Sequence, residues 1–560
     1  MELGGRAWIL AALGAVTAAL LGVGTLTTAV AAAAPAAPTT RTAPAARAAR
    51  ALYAGGDSKV LSVSCTAAGN CAAAGSFTDR ARHGQAFVVS ERRGVWGRAE
   101  EVPGLAALNV GGSAGIHQVS CSSAGNCTAG GWYKDASGDI QAFVATEARG
   151  TWRTAMPVPG VLALNTGGYA VVQTLSCASA GNCLAAGTYT AMVGGVPAGL
   201  PFVADQVRGA WRPAHELNGA LIAGAVGARI TSASCATPGN CAVGGSYTDD
   251  PGGNQAFVAD EVGHSWQPAR EVPGTARINL GNALTTAVSC PAAGQCAAVG
   301  YYASRKSGYS QAFVVSQRNG TWDLARPVMP AGHHPAFQRS QLDALSCGSA
   351  GNCSAGGTAD GAGLTGRFNA LVVGETRGTW GAGHQLPASR ALGRVLGAAQ
   401  ILALSCAAPG YCAAGGQYMN GSGDLSAFVA KERAGRWQPA IEVPGIAALN
   451  TGGIAQVNAV SCGAVGHCRA GGFYSTKGLA HERTFLLWQV RASWGRLIGV
   501  PGLKAEGPPP HVPAPRSGYD NCGEQAARTA GTPASEGAAQ RGWSRGRRRA
   551  ETGDRGERHE

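Results

Sequence analysis

Short apolar segments recur along the chain, and turns that contain glycine separate them. One representative stretch predicts four strands, at Ile116–Cys121, Cys127–Tyr133, Gln141–Glu147 and Thr151–Ala155. The turns between the first and second strands and between the third and fourth strands are short. Both carry glycine where a positive φ is needed. The pattern therefore predicts an antiparallel unit of four strands.

The unit repeats eight times, and a Ser-Cys pair followed by a second cysteine six residues later marks its first half. Glycine stands two residues before each second cysteine and four residues after it. The pairs are Cys65 and Cys71, Cys121 and Cys127, Cys177 and Cys183, Cys235 and Cys241, Cys290 and Cys296, Cys347 and Cys353, Cys406 and Cys412, and Cys462 and Cys468. Cysteines that flank a hairpin turn can face each other, so each pair predicts a disulfide. Zinc is the alternative, but the spacing is wider than that of zinc motifs.

The second half of each unit carries a Phe or Leu in an apolar strand and a Trp nine residues later. These pairs are Phe87 and Trp96, Phe143 and Trp152, Phe202 and Trp211, Phe257 and Trp266, Phe313 and Trp322, Leu371 and Trp380, Phe428 and Trp437, and Phe485 and Trp494. We expect the two rings to lie roughly opposite each other across a hairpin and to pack between units. A stripe of sugar-stacking aromatics is the alternative.

A lone four-stranded unit of this kind cannot bury both of its faces, so neighbouring units must stack. Four antiparallel strands repeated eight times fit the blades of a closed ring. The sequence therefore predicts an all-β fold, an eight-bladed β-propeller of four-stranded antiparallel blades with a Cys-x5-Cys hairpin disulfide in each. A rod-like solenoid is the alternative.

The ends of the chain differ from the repeats in composition. Residues 1–34 carry Arg6 and then a long apolar run, which is typical of a signal peptide, and an uncleaved membrane anchor is the alternative. Residues 35–50 form an Ala/Pro linker, 51–503 hold the eight repeats, and 504–560 are predicted to be a disordered basic tail. Cys522 in the tail is left over. Export to an oxidising compartment, either secretion or the cell envelope, explains the cysteines.

The formal net charge of the 560-residue chain is +13. No dense basic stripe with interleaved aromatics occurs, so nucleic acid is excluded as a partner. The mild basic bias favours anionic surfaces.

Motifs that would carry enzyme chemistry do not occur in the sequence. It contains no zinc-protease helix motif, phosphate-binding glycine loop or nucleophile elbow, so we predict no catalytic residue and no metal site. A recurring Glu or Gln beside the hairpin turns predicts a structural hydrogen bond; it is Glu91, Glu147, Gln206, Glu261, Gln317, Glu375, Glu432 and Gln489. The acidic loops at 135–139 and 249–254 leave calcium open as a cofactor.

The combination of Ser-Cys, Gly-Asn-Cys, Gln-Ala-Phe-Val and Gly-x-Trp over residues 51–502 resembles the repeats of secreted actinomycete-type β-propeller-like proteins. That resemblance implies location and architecture. The Gly-x-Trp turn is also faintly similar to the Asp-box of sialidases. The Ser-x-Asp-x-Gly that defines an Asp-box is absent, since Glu147-Ala-Arg-Gly150 has no Asp.

Spacing suggests which edge of the ring binds a ligand. The distances across the two hairpin turns are constant, whereas the loops between the second and third strands and the connections between units vary. Because variable loops on a rigid scaffold usually carry binding sites, we expect ligand contacts at the variable edge. The candidates, which include aromatics suited to sugar stacking, are Trp132, Tyr133, Tyr189, Tyr301, Tyr302, His333 and Tyr418. Tolerated drift of the loops is the alternative for the edge. Packing is the alternative for several of the aromatics, because an aromatic recurs six residues after the second cysteine in seven of the eight units.

These observations favour a secreted or envelope-associated, non-catalytic binding module for glycans or anionic envelope polymers. The expected partners are an envelope polysaccharide or a surface protein. The protein is expected to be a monomer that touches a membrane only through an uncleaved N-terminal segment. A secreted glycan-active hydrolase or lyase with a site on the variable face, and a purely structural envelope component, are the alternatives.

Overall fold

A computed structural model describes residues 52–505, except for 194, 218, 220, 222–224, 226, 250–251, 330–338, 361–367, 390–391, 393–397 and 477–480. Within these residues the chain forms eight consecutive antiparallel blades, one for each sequence repeat, and a single parallel pairing of Asn254 with Asn282 joins the fourth and fifth of them into one sheet. We number them blade 1 to blade 8 in chain order. The prediction of an eight-bladed all-β propeller is confirmed.

Each blade is built from three long strands and a short fourth strand. The first strands are Ser58–Ala67, Ala114–Ser123, Ala170–Ser179, Gly227–Thr237, Asn279–Ala292, Ser340–Ser349, Gln400–Ala408 and Ala455–Ala464. The second strands are Asn70–Thr78, Asn126–Lys134, Asn182–Val193, Asn240–Thr248, Gln295–Ser304, Asn352–Asp360, Tyr411–Met419 and His467–Thr476. The third strands are Gly84–Arg92, Ile140–Ala148, Val196–Val207, Asn254–Val262, Ser310–Arg318, Phe368–Thr376, Leu425–Arg433 and His481–Val490.

The outer part of each blade is shorter than the sequence predicts. The fourth strands are Val95–Trp96, Thr151–Trp152, Ala210–Trp211, Ser265–Trp266, Thr321–Trp322, Thr379–Trp380, Arg436–Trp437 and Ser493–Trp494. A fifth segment then pairs again with the third strand; it is Glu100–Glu101, Met156–Pro157, His215–Glu216, Arg270–Glu271, Arg326–Pro327, His384–Gln385 and Ile441–Glu442. Proline follows the fourth strand at 213, 268 and 439, and because proline cannot donate to a ladder the pairing breaks there.

Three short helices, Leu105–Leu108, Val161–Leu164 and Thr275–Ile278, lie in connections between blades. The two ends of the array meet, since Leu52–Ala54 pairs in parallel with Leu503–Ala505.

The repeated cysteines form eight disulfides, each between residues six apart, as predicted. The repeated Phe or Leu of the third strand is fully buried in every blade. The expected Phe–Trp opposition is wrong. The two-residue turn at Arg93-Gly94 pairs Trp96 with Glu91, whereas Phe87 lies opposite Gly75 and Glu101.

The glycine four residues after each second cysteine has a steric cause. Every first strand contains a β-bulge, as between Val60 and Ser62, and the bulged backbone presses on the second strand. A Cβ at Gly75 would lie 1.9 Å from the carbonyl oxygen of Lys59, and the other seven blades give 1.9–2.1 Å. Only glycine fits this position.

The serine before each first cysteine joins neighbouring blades. In blade 1, Ser64 Oγ accepts a hydrogen bond from the backbone N–H of Cys121 in blade 2, at 2.9 Å. The same bond follows at every interface at 2.9–3.1 Å, and Ser461 of blade 8 accepts from Cys65 of blade 1. These eight bonds form an unbroken circle, so the ring is closed.

A second set of bonds joins the blades further out, and it accounts for the Val-Pro-Gly segments. The carbonyl oxygen of Pro103 accepts from Ala155 N of the next blade at 2.7 Å, and Pro501 at the end of the array accepts from Ala99 of blade 1 at 2.7 Å. Equivalent bonds involve Pro159, Pro273, Pro387 and Pro444.

A buried ion pair strengthens the interface that closes the ring. Arg469 of blade 8 donates from both Nε and Nη2 to the carboxylate of Glu91 in blade 1, at 2.6–3.0 Å. The side chains are only 9% and 1% exposed. The charges that hold the last blade to the first are therefore shielded from solvent.

We expect Arg469→Ala to lower the free energy of unfolding by about 3–5 kcal/mol, because it leaves the buried Glu91 carboxylate without its charged partner. Calorimetric melting would show the lowered Tm. The matched control is Arg92→Ala, which removes a half-exposed arginine from Glu147 at another interface and should cost about 1 kcal/mol or less. Replacing both partners, Glu91→Leu with Arg469→Met, should recover most of the loss. Equal effects of the two alanine variants would contradict this interpretation.

Candidate functional site

The ring has two edges. We call the edge with the turns between first and second strands and between third and fourth strands the turn edge, and the opposite one the loop edge. At the turn edge the two turns of a blade are bonded together, as Gly94 N donates to Gly69 O at 2.9 Å, and all eight blades repeat this bond. The turn edge is therefore uniform in its backbone.

Four of the predicted ligand-binding aromatics are not available to a ligand. Tyr133, Tyr189, Tyr302 and Tyr418 are at most 4% exposed and pack in the cores between blades. The hydroxyl of Tyr418 donates to Glu442 Oε1 at 2.9 Å, and that of Tyr302 donates to Gln311 Oε1 at 3.0 Å. Burial raises the pKa of all four. These four tyrosines therefore follow the packing alternative, which the recurrence of an aromatic at this position in seven of the eight units had indicated.

The remaining three candidates stay predictions. Trp132 and Tyr301 precede two of the buried tyrosines and are half-buried. A Cβ at Gly115 would lie 3.0 Å from Trp132 Nε1, so this indole covers the backbone of the first strand. His333 lies outside the described residues.

The acidic loops at the loop edge have a structural explanation. Asp135 Oδ1 accepts from the backbone N–H groups of Ser137 and Asp139, and its Oδ2 accepts from Gln141 Nε2. Asp249 makes the corresponding bonds to Gly253 and Gln255. These aspartates thus shape the turns. Among the described residues no group of three or more His, Cys, Asp or Glu side chains could hold a metal ion.

The recurring Glu or Gln of the third strand lies next to the second cysteine and faces the preceding blade, where its partner varies. Ser90 Oγ donates to Glu147 Oε1 at 2.9 Å, and Ser316 Oγ donates to Glu375 Oε1 at 2.6 Å. At the interface of blades 4 and 5 the facing residue is Asp260, and the side chain is an amide, Gln317, which donates at 3.0 Å. Carboxylates thus face donors, and an amide faces a carboxylate.

The interface of blades 3 and 4 departs from this pattern, because Asp205 faces Glu261. Glu261 is 3% exposed, and its Oε1 is buried without a hydrogen-bond partner. Burial and the nearby Asp205 raise the pKa of Glu261 to about 7, with Arg212 opposing. Burial also raises the pKa of Asp205, although the charges of His215, His264 and Arg212 act to lower it. The cavity beside the pair measures about 10 Å³, which holds no more than a water molecule.

Three larger clefts open at the turn edge between blades in the described part of the chain. The cleft between blades 4 and 5 has a volume of about 660 Å³, the cleft between blades 6 and 7 about 380 Å³, and the cleft between blades 5 and 6 about 220 Å³. In the first, Asp260 already accepts from Gln317, Trp322 and Arg270. The second is lined by Ser354, Gly374, Glu432 and Trp437. Burial raises the pKa of Glu432, although the hydrogen bond from Ser354 acts against this.

Exposed arginines cluster at the turns between the third and fourth strands. They are Arg92, Arg93, Arg149, Arg208, Arg318, Arg377, Arg433, Arg436 and Arg491, and blade 4 has His264 in this place. Several occupy a turn position of positive φ that is followed by glycine, which points their side chains outward from a fixed backbone. This cluster was not predicted from the sequence, although Arg-Gly recurs ahead of the Trp in four units.

No helix among the described residues is long and apolar enough to cross a membrane.

No family model and no curated protein matches the chain. Among solved structures, the β-propeller domain of the Trilobed protease from Pyrococcus furiosus is 8% identical over 68% of this chain and 97% of that chain, with a TM-score of 0.36. The fucose-specific lectin from Aleuria aurantia is 14% identical over 60% and 97%, with a TM-score of 0.29. The Hadza microbial sialidase Hz136 is 10% identical over 60% and 71%, with a TM-score of 0.32. At these identities and scores, none of them bears on what this chain binds.

The carboxyl pair predicts a pH-dependent stability. The folded protein holds a proton on Glu261 up to about pH 7, whereas the unfolded chain releases it near the ordinary pKa of 4.5. This group therefore lowers stability as pH rises from about 4.5 to 7. We expect Glu261→Gln, whose amide can donate to Asp205 as Gln317 does to Asp260, to raise the Tm at pH 8 and to change it little at pH 4.5.

The control for this experiment is Glu147→Gln, which weakens the bonds from Ser90 and Arg92 and should lower the Tm at pH 8. Thermal melts of both variants at the two pH values provide the measurement. A Glu261→Gln variant that melts below the parent by the same margin at both pH values would refute the protonation of Glu261 in the folded protein.

Proposed function

We propose that this protein is an exported, non-catalytic binding module that holds an anionic glycan or other anionic envelope polymer on its turn edge. The observation that carries the proposal is the set of nine exposed arginines at the outer hairpin tips. Guanidinium groups bind carboxylate, sulfate and phosphate groups through paired hydrogen bonds. Their distribution around a ring gives several contacts to one polymer at once, which multiplies weak affinities.

The scaffold suits this role. Each arginine-bearing turn is bonded to the disulfide hairpin of its own blade, and the blades are joined in a closed circle. Little backbone freedom is therefore lost when a ligand binds. Eight disulfides are typical of an oxidising compartment, which supports export.

The exposed charges favour the turn edge over the loop edge, because turn-edge carboxylates such as Glu91, Glu147 and Glu375 are buried whereas the arginines are exposed. The inner hairpin tips beside the arginines carry small uncharged residues, as at Ala67-Ala68-Gly69. Asp79, Asp135 and Asp249 lie at the loop edge, where they offset the positive charge of the basic residues of that same edge. A polyanion is therefore attracted more strongly to the turn edge.

The alternative of a glycan-active enzyme receives less support from the described residues. Acid–base hydrolysis of a glycoside needs two carboxyl groups with a sugar between them. Asp205 and Glu261 are such a pair by type, but the cavity beside them, about 10 Å³, has no room for a sugar. The larger clefts contain Asp260 with Glu261 and Glu375 with Glu432. Hydrogen bonds within the protein already occupy a carboxyl group of each pair, because Asp260 accepts from Arg270, Glu375 from Ser316 and Glu432 from Ser354.

We expect the double variant Arg149→Ala with Arg208→Ala to weaken binding to a polyuronate or sulfated polysaccharide about tenfold at low salt and to flatten its salt dependence. Alanine suits this backbone, because Ala434 occupies the equivalent turn position in blade 7 with a φ of 50°. The measurement is retention of the folded protein on the immobilised polymer across a salt gradient.

The control is Arg305→Ala with Lys306→Ala, which removes the same charge from the loop edge. This variant should be retained like the parent. Loss of retention in the loop-edge variant, with none in the turn-edge variant, would place binding on the other edge and overturn the proposal.

A further inference from the structure

A serine hydroxyl bridges two groups at two of the blade interfaces. Ser90 Oγ donates to Glu147 Oε1 at 2.9 Å and accepts from Trp152 Nε1 at 3.2 Å. Ser316 Oγ donates to Glu375 Oε1 at 2.6 Å and accepts from Trp380 Nε1 at 2.8 Å. The Glu and the Trp are cross-strand neighbours within one blade, so together they present an acceptor and a donor to one hydroxyl group.

Blade 7 presents the same two groups without the serine. Glu432 and Trp437 are cross-strand neighbours, but the facing position in blade 6 is Gly374. Trp437 Nε1 donates to none of the described residues. Glu432 accepts from Ser354 through Oε2 at 2.9 Å, and its Oε1 accepts from no residue in the described part of the chain.

The missing side chain is part of a wider opening. Blade 6 continues after its Trp with Gly381-Ala382-Gly383, whereas each of the other blades has at least one Arg, Gln, Pro or Leu in these three positions. The cleft of about 380 Å³ lies over these small residues, a volume typical of small-molecule sites. His384 is exposed at the cleft, and the ring of Trp437 is half-buried there, whereas Trp152 and Trp380 are buried. The cleft thus offers hydrogen-bonding groups and part of an indole face.

We propose that this cleft is a binding site for an uncharged sugar unit, one hydroxyl of which takes the place of the absent serine. That hydroxyl donates to Glu432 Oε1 and accepts from Trp437 Nε1, and the indole contacts the sugar ring. The carboxylate of Glu432 disfavours an anionic unit at this point, so the site takes a neutral residue of a glycan. The inference deepens the proposed function and rests on it only for the glycan as ligand.

The sharpest test restores the serine. In Gly374→Ser, the new Cβ has its nearest neighbour, Cys353 O, at 3.8 Å, so the side chain fits and recreates the bridge of blades 1 and 2. We expect this variant to fold with an unchanged or higher Tm and to lose sugar binding at least tenfold. The reciprocal variant, Ser316→Gly, removes the bridge between blades 5 and 6 and should leave binding at the original cleft intact.

The probes are glucose, galactose, mannose, N-acetylglucosamine and trehalose, titrated while the indole N–H resonance of Trp437 is followed by NMR. Trp437→Phe identifies that resonance and removes the donor. The expected result is a saturable shift in the parent protein with one or more of the sugars, absent from Gly374→Ser. A shift that persists in Gly374→Ser, or no shift with any sugar, would overturn the inference.

Retention on the anionic polymer, measured on the same samples, separates the two proposals. Parent protein that is retained by the polymer but shows no sugar-dependent shift would disprove the cleft site and leave the proposed function standing. A sugar-dependent shift in a parent protein that the polymer does not retain would support the cleft site and disprove the proposed function.

Discussion

The structure depends on one hydrogen bond, from the backbone N–H of a cysteine to the side chain of a serine in the preceding blade. A four-stranded antiparallel sheet satisfies most of its own backbone internally, and the apolar packing between blades has little directional preference. The serine bond supplies direction at each interface. Because the adjacent cysteine forms a disulfide across its hairpin, the N–H it donates is held in place. The two residues of each Ser-Cys pair thus act together. The disulfide fixes the position of the cysteine N–H, and the serine of the preceding blade accepts a hydrogen bond from it.

Most of the fold could be predicted from the sequence because the requirements are local and repeated. Turn glycines, the cysteine spacing and the buried Phe each act within one hairpin, and eight copies leave little doubt about the pattern. The pairing of Trp96 with Glu91 was not predicted, because it depends on a two-residue turn whose first residue, Arg93, has a positive φ. Arginine rarely adopts a positive φ, so its presence does not indicate such a turn. The serine circle was missed because its partners lie in different repeats.

The candidate site was harder to predict, and the reason is physical. Constant spacing at the turn edge reflects the backbone, which must keep its bonds between Gly69 and Gly94 and their equivalents. It places no limit on side chains that point into solvent, so charge can accumulate there. The tyrosines of the second strand illustrate the reverse case. Their position lies near variable loops, but a neighbouring blade covers it. Departures from the repeat, such as Gly374 and the Asp205–Glu261 pair, become meaningful only when the facing residue is known.

The exposed charges of the two edges differ, which gives the surface of the ring an electric dipole along its axis. Arginines collect at the turn edge, whereas aspartates such as Asp79, Asp135 and Asp249 stand at the loop edge. In the field of a negatively charged surface such a dipole experiences a torque, which turns the molecule before any contact forms. Within a Debye length of about 8–10 Å at physiological salt, the protein approaches with its arginine-bearing edge leading. Encounters are then oriented by the field, so that fewer collisions are unproductive.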